Sequence, residues 1–315
     1  MGWLWISCHF HGMNLTLVPP QFTPDAKALV RLGIPGAISA GVVQINILVD
    51  GIFASTLPTG AVSYLFYADR LNQLPLGVIG IAVSTALLPE LSKHVKANNH
   101  SKASHTQNRA LEFAMAITLP AAIGLIVLGG NLVALLFERG AFTNQDALST
   151  GYTLSAFAVG LPAYVLVKIL STPFFARKDT MTPMIVAIAS VVLNLILNYL
   201  FIGPFSYVGL ALSTALSAWF NALTLGFFLF LKEWLIFDTR MKEVLPRLAI
   251  SSLLMGVFCY GLQLIMPFPN DPLLRLGIVG FWIFSGLFTY IITARLLGVF
   301  CFRDLQTFLK NQSSS

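Results

Sequence analysis

SYLFYADRLNQLPLGVIGIAVSTALLPELSK, residues Ser63 to Lys93, is the stretch whose reading decides the fold. An Asp69–Arg70 pair sits inside an otherwise apolar run, followed by Gln73, a breaker at Pro75 and a second apolar run. A charge at the centre of a membrane helix costs roughly 2.5–3.5 kcal/mol on insertion scales, so it is rarely left facing lipid. Arg70 is therefore expected to face a bundle interior or a water-filled cavity. Adjacent residues point about 100° apart on a helix, so Asp69 cannot lie directly over Arg70. A purely structural Asp69–Arg70 ion pair is the plainer alternative, but an ionisable residue inside a membrane span marks function by default.

Composition places the rest of the chain in the same setting. Of 315 residues, 56% are hydrophobic and 10% charged, with a mean hydropathy of +0.78. This is a polytopic, all-α membrane protein. Its longest polar stretch, Ser92 to Arg109, is too short for a folded domain. A net charge of +6 would suggest nucleic acid as the partner of a soluble chain, but here the distribution of charge carries the meaning, and no nucleic-acid partner is expected. Cys8, Cys259 and Cys301 are far apart and form no metal or disulfide pattern. The histidines lie at positions 9 and 11 or between His94 and His105, where solvated roles are expected. No GxxxxGK[ST], HExxH or GxSxG occurs, so ATP hydrolysis and common hydrolase chemistry have no support and an enzyme is not expected.

About eight spans follow, each near the ~20 residues a bilayer needs. They cover 27–56, 60–95 (in two parts around Pro75), 107–128, 147–173, 181–202, 206–231, 246–266 and 273–299. Lysine and arginine set their orientation. Of the 19, Arg139 and Arg275 lie in one set of loops, Arg70 and Lys168 inside spans, and all others in the opposite loops and tails. That asymmetry puts both termini in the cytoplasm. Lys168 falls near the cytoplasmic end of its span, where a snorkelling anchor role is expected.

Small residues recur every fourth position at Gly33, Ala37 and Gly41, and again at Gly209, Ser213 and Ser217. Ladders of this kind mark close helix contacts in membranes. Pro35, Pro75, Pro120 and Pro162 interrupt spans, as transporters tolerate where neighbours or water satisfy the freed backbone.

Polar residues gather at one depth. Asn46 and Asp50 share one helix face, Asn194 and Asn198 another, and Thr214, Ser217, Asn221 and Thr224 a third. Asp50, Asn194, Asn198 and Thr214 all fall near the periplasmic ends of their spans. If the three helices are neighbours, these oxygens could surround a hard cation. The alternative is interhelical hydrogen bonding alone, at about 0.6 kcal/mol per contact.

The run YADRLNQLPLGVIGIAVSTALLPELSKH resembles the central signature of the MurJ/MviN lipid II flippases. GIPGAISAGVVQINILVDGIFASTLPTGAVSYLFYADR before it, and LLFERGAF, FFARKDTMTP and FIGPFSYVGLALS after it, match in the family's order. The resemblance runs from about Leu29 to near Val299. It implies the MATE-like exporter architecture of two six-helix lobes and two extra C-terminal helices. Residues 27–232 would be the second lobe and 233–315 the extra pair with a short cytoplasmic tail. The segment 1–26 reads as irregular, its first twenty residues unmatched in the family and expected to be a new start before a truncated chain.

The resemblance further implies transport of lipid II, the lipid-linked peptidoglycan precursor, from the cytoplasmic to the periplasmic leaflet of a bacterial inner membrane by alternating access. Arg70 would meet the pyrophosphate with its planar fork, Asp69 would orient it or balance its charge, and Gln73 stands where the family often has Glu. A sodium site from the Asp50, Asn194, Asn198 and Thr214 helices is also implied, with Na⁺ as coupling ion, although Asn198 stands where an acidic ligand occurs. Expected partners are lipid II, membrane lipids and cell-wall synthesis proteins. A cation-coupled multidrug or solute exporter of the same superfamily and a non-transporting fragment remain the alternatives.

Overall fold

The computed structural model describes residues 24–299 apart from Asn270. Of the expected irregular start at 1–26, residues 24–26 are instead helical, and the rest of it, the cytoplasmic tail, Cys8 and Cys301 lie outside the described residues. Helices account for nearly everything described: α1 (Pro24–Ser55), α2 (Ala61–Lys96), α3 (His100–Phe137), α4 (Asn144–Ala176), α5 (Met181–Leu231), α6 (Thr239–Ile265) and α7 (Pro272–Leu296). α5 is two spans in one, since Ser206, at φ 52° and ψ −132°, breaks it two residues after Pro204. Six of these helices are long and apolar enough to cross a membrane among the described residues. α2 carries Asp69 and Arg70 near one end and the charges from Glu90 to Lys96 at the other, with an uncharged run from Leu71 to Pro89 between them. With α2 counted and the α5 arms separated, the eight expected spans are present.

Caps explain why several helices outrun their expected bounds. Asn99 accepts the Lys102 N–H at 3.0 Å, so α3 starts at His100 and the polar 92–109 stretch is helical on both sides of a short turn. Thr143 and Asp146 cap α4 reciprocally, while Asp238 and Asp271 cap α6 and α7. The expected division of α2 at Pro75 is absent: the helix runs unbroken through that residue. Pro lacks only one donor, and neighbouring helices can satisfy the carbonyl it frees.

α4 is the centre of the bundle, packed by α2, α3 and α5. Its buried residues include Ala147, Gly151, Ala156, Gly160 and Ala163, small enough for backbones to approach closely. A β-carbon at Gly151 would lie 2.6 Å from the Gly130 α-carbon of α3, and one at Gly160 would lie 2.8 Å from the Ala215 α-carbon of α5. The Gly209 ladder also marks a close contact, with Ser213 buried and Gly209 against the Phe201 backbone. The α1 ladder does not: nothing lies within 4 Å of where β-carbons at Gly33 or Gly41 would stand. α1 packs mainly on α5 and leaves much of its apolar surface uncovered.

The α6–α7 hairpin docks on α3 and is fastened at both ends. At one end Arg109 pairs with Glu112 at 2.5 Å and with Asp238, and Asn108 Nδ2 donates to the Ile236 carbonyl at 2.8 Å. At the other, Arg275 pairs with Glu138 at 3.2 Å. Between them the Tyr290 hydroxyl donates to the Ala116 carbonyl at 2.6 Å. That carbonyl is the one Pro120 leaves without its helical partner. Burial raises the Asp238 carboxyl, but the Met241 N–H and Arg109 outweigh it and hold it below the ordinary carboxylate value. Asp179, in the turn before α5, behaves alike: burial raises it, and Lys232 and Thr182 pull it lower.

Candidate functional site

Two polar groups interrupt the apolar bundle. The first lies on α2. Val62, Phe66, Arg70 and Gln73 are exposed and follow helical spacing along one side. Arg70 stacks on Phe66, its guanidinium carbon 4.8 Å from the ring centroid, and has no carboxylate partner among the described residues. Asp69 turns instead to Gln73, whose Nε2 donates to Asp69 Oδ2. This is an i,i+4 amide–carboxylate pair, the spacing at which helix side chains meet. It leaves the guanidinium donors unengaged by protein, on a surface where an anion could take them.

Tyr64 holds the start of α2 in place. Its hydroxyl donates to Asp146 Oδ1 at 2.6 Å, at the capped start of α4, and its ring meets Tyr207 of α5 edge-on at 5.1 Å. α2, α4 and the second arm of α5 are thus tied together at one end of the bundle.

The second group joins α1 to both arms of α5. Asn198 Nδ2 donates to Asp50 Oδ1 at 2.7 Å, and the Thr214 hydroxyl to Asp50 Oδ2 at 3.2 Å. Asn46 Nδ2 donates to Asp50 Oδ2 at 3.3 Å, and Asn198 Nδ2 also reaches Asn194 Oδ1 at 3.0 Å. Asn194 and Asn198 are fully buried. With its amide turned over, Asn194 would donate to Asn46 Oδ1 at 2.9 Å and to Asp50 Oδ1 at 3.2 Å. The turned orientation is the one its neighbours favour, because otherwise the Asn194 oxygen faces the Asn46 and Asp50 oxygens. Asn198 Oδ1 is buried with no hydrogen-bond partner, an acceptor left open inside the group.

All four expected oxygen donors, Asp50, Asn194, Asn198 and Thr214, therefore stand together. The rest of the Thr214 stripe does not join them, since the Ser217 and Thr224 hydroxyls bond back to their own helix. Sequence reasoning missed Tyr164 of α4, whose hydroxyl is buried without a partner beside Gly160 and Ala215. The signal was present, because Gly160, Tyr164 and Lys168 recur every fourth residue. The described residues hold no group of three His, Cys, Asp or Glu placed for a metal ion, so a cation here would depend on one carboxylate and neutral oxygens.

Comparison with known proteins bears on the family and the fold. The family described as lipid II flippase MurJ matches residues 4–274, which reaches into the first twenty residues that the motifs left unmatched. A probable lipid II flippase MurJ of Rhizobium meliloti (strain 1021) is 40% identical over 257 residues, covering 82% of this chain and 48% of the relative. One from Rhizobium tropici is 37% identical over 303 residues, covering 94% and 56%. Among solved structures, lipid II flippase MurJ in an inward closed conformation superposes with a TM-score of 0.72 at 30% identity, over 91% of this chain and 57% of that one. An outward-facing multidrug resistance MATE family transporter shares the fold, with a TM-score of 0.58 at 19% identity, over 85% and 63%. The chain spans about half the length of the curated relatives it matches.

Proposed function

This chain belongs to the lipid II flippase MurJ family, and from that premise we propose that it carries lipid II between membrane leaflets, with Arg70 as a contact for the pyrophosphate. The observation that carries this reading is the exposed, unpaired Arg70 inside the α2 motif run, freed by the diversion of Asp69 to Gln73. A guanidinium offers a planar fork to two phosphate oxygens at once, and such charge-assisted bonds strengthen in a low-dielectric cavity. Asp69 balances the arginine when the cavity is empty. Transport runs from the cytoplasmic to the periplasmic leaflet of the bacterial inner membrane by rocking of one helical lobe against another. Residues 27–232 supply one six-helix lobe and 233–315 the additional pair. The cytoplasmic side is the one crowded with Lys and Arg, which places both termini there.

The Asp50 group is the place for a coupling cation. Asp50, the amide oxygens of Asn194 and Asn198 and the Thr214 hydroxyl are hard donors, and one carboxylate matches one positive charge, as in Na⁺. A bound cation would fix the Asn194 amide with its oxygen inward. The same group would serve a cation-coupled drug or solute exporter, and that second reading rests on it alone. Membrane lipids and cell-wall synthesis proteins are the further partners this role calls for. Lipid II binding, measured per folded molecule for wild type and Arg70→Ala, tests the main reading against drug-dependent efflux.

A further inference from the structure

Lys168 lies inside α4, a helix whose surface is mostly buried, yet Lys168 itself is exposed. No carboxylate among the described residues pairs with it. A snorkelling lysine would extend along its own helix toward the membrane surface. This one crosses to α2 instead: a β-carbon at Gly80 would lie 2.7 Å from Lys168 Nζ and 3.0 Å from its Cδ. Stem and ammonium both rest on Gly80, and any side chain there would displace them. The expected anchor role does not account for that placement.

Gly80 also fixes which face of the bundle the ammonium joins. At about 100° per residue, Asp69, Gln73 and Gly80 fall within one narrow strip of α2. The Lys168 ammonium therefore stands on the same strip as the Asp69–Gln73 pair, about 16 Å farther along the axis than Asp69 and about 10 Å farther than Gln73 at 1.5 Å per residue. An unpaired cation in a span is expensive, and such residues mark ion and substrate paths.

We propose that Lys168, laid across Gly80, is a second anion contact on the α2–α4 seam and takes a phosphate of a polyprenyl diphosphate lipid. The assignment rests on the reading of the α2 face as the path of a lipid-linked diphosphate. A diphosphate is far shorter than the spacing to Asp69, so Lys168 and Arg70 are successive stations and not one clamp. By charge distribution Lys168 is the station nearer the cytoplasm, where the substrate enters. Gly80 is a positioning residue that acts through the lysine.

The test uses the 315-residue chain in phosphatidylcholine nanodiscs, with undecaprenyl diphosphate, uncharged undecaprenol and inorganic pyrophosphate as probes, and binding counted per folded molecule. Lys168→Gln should weaken undecaprenyl diphosphate binding about tenfold, the weight of one charge-assisted hydrogen bond, and leave undecaprenol binding unchanged. Lys168→Arg should keep most of the affinity. Gly80→Val should lose affinity although the lysine remains. Wild-type affinity in Lys168→Gln, or an equal loss for undecaprenol, would overturn the assignment. Pyrophosphate bound as tightly as the lipid would overturn the choice of a lipid ligand. Arg70→Ala run alongside separates the two claims: a loss there with none in Lys168→Gln removes only this station, and the reverse removes only the Arg70 contact.

Discussion

Asn198 donates to Asp50 at 2.7 Å, joining residues 148 positions apart and binding α1 to the first arm of α5. α1 leaves much of its apolar surface uncovered, so this polar contact and its Thr214 counterpart do much to set where α1 sits. A cation entering the group would replace donors around Asp50 with its own charge and tighten the same helices.

Asp50→Asn should therefore remove any Na⁺-dependent rise in thermal stability while leaving the sodium-free protein folded. The measurement is the shift in unfolding temperature between Na⁺ and choline buffers. A sodium shift that survives Asp50→Asn would place the ion elsewhere.

The orientation proposed from the charge distribution, with the α2–α3 turn cytoplasmic, makes a labelling prediction. Cysteines introduced at Ser101, beside the α2–α3 turn, and at Ala141, beside the α3–α4 turn, should react with an impermeant thiol reagent from opposite sides. Reaction of both from one side would contradict the eight-span count.

The α6–α7 hairpin should loosen under acid, and the sign follows from Asp238. Its folded value lies below the ordinary 3.8, so its contribution is fully present above about 3.8 and is lost as pH falls through the folded value. Hydrogen exchange at the start of α6 should be flat from pH 7 to 5 after correction for intrinsic rates. Asp238→Ala should cost about 1 kcal/mol from the lost cap. Faster exchange already at pH 6 would assign the clasp to another group.

Tyr290→Phe removes the donor that serves the carbonyl freed by Pro120. The expected loss is about 1–3 kcal/mol, because a buried acceptor is left unsatisfied. Chemical denaturation in detergent measures it, and an unchanged midpoint would mean that water takes the hydroxyl's place.

Much of this was legible in the chain. The spans follow from apolar runs near bilayer length, and the Asp50 group from i,i+4 pairs at matched depth. The polar stretch around Asn99 hid how far the helices on either side reach, to Lys96 before the turn and from His100 after it. Pro75 misled because a missing donor does not by itself end a buried helix. The α1 ladder of Gly33, Ala37 and Gly41 has the spacing of a contact, and spacing cannot say whether a partner is at hand. The turning of Asp69 to Gln73 and the resting of Lys168 on Gly80 depend on rotamers and on which helices adjoin. Neither is encoded in local pattern.

Binding of lipid II to Arg70 variants tests the central claim most directly. Arg70→Lys keeps the charge but loses the bidentate fork, and Arg70→Ala loses both. Measured per folded molecule, affinity should fall in Arg70→Lys and fall further in Arg70→Ala, by about tenfold or more. Wild-type affinity in folded Arg70→Ala would contradict the account and leave the arginine a structural residue.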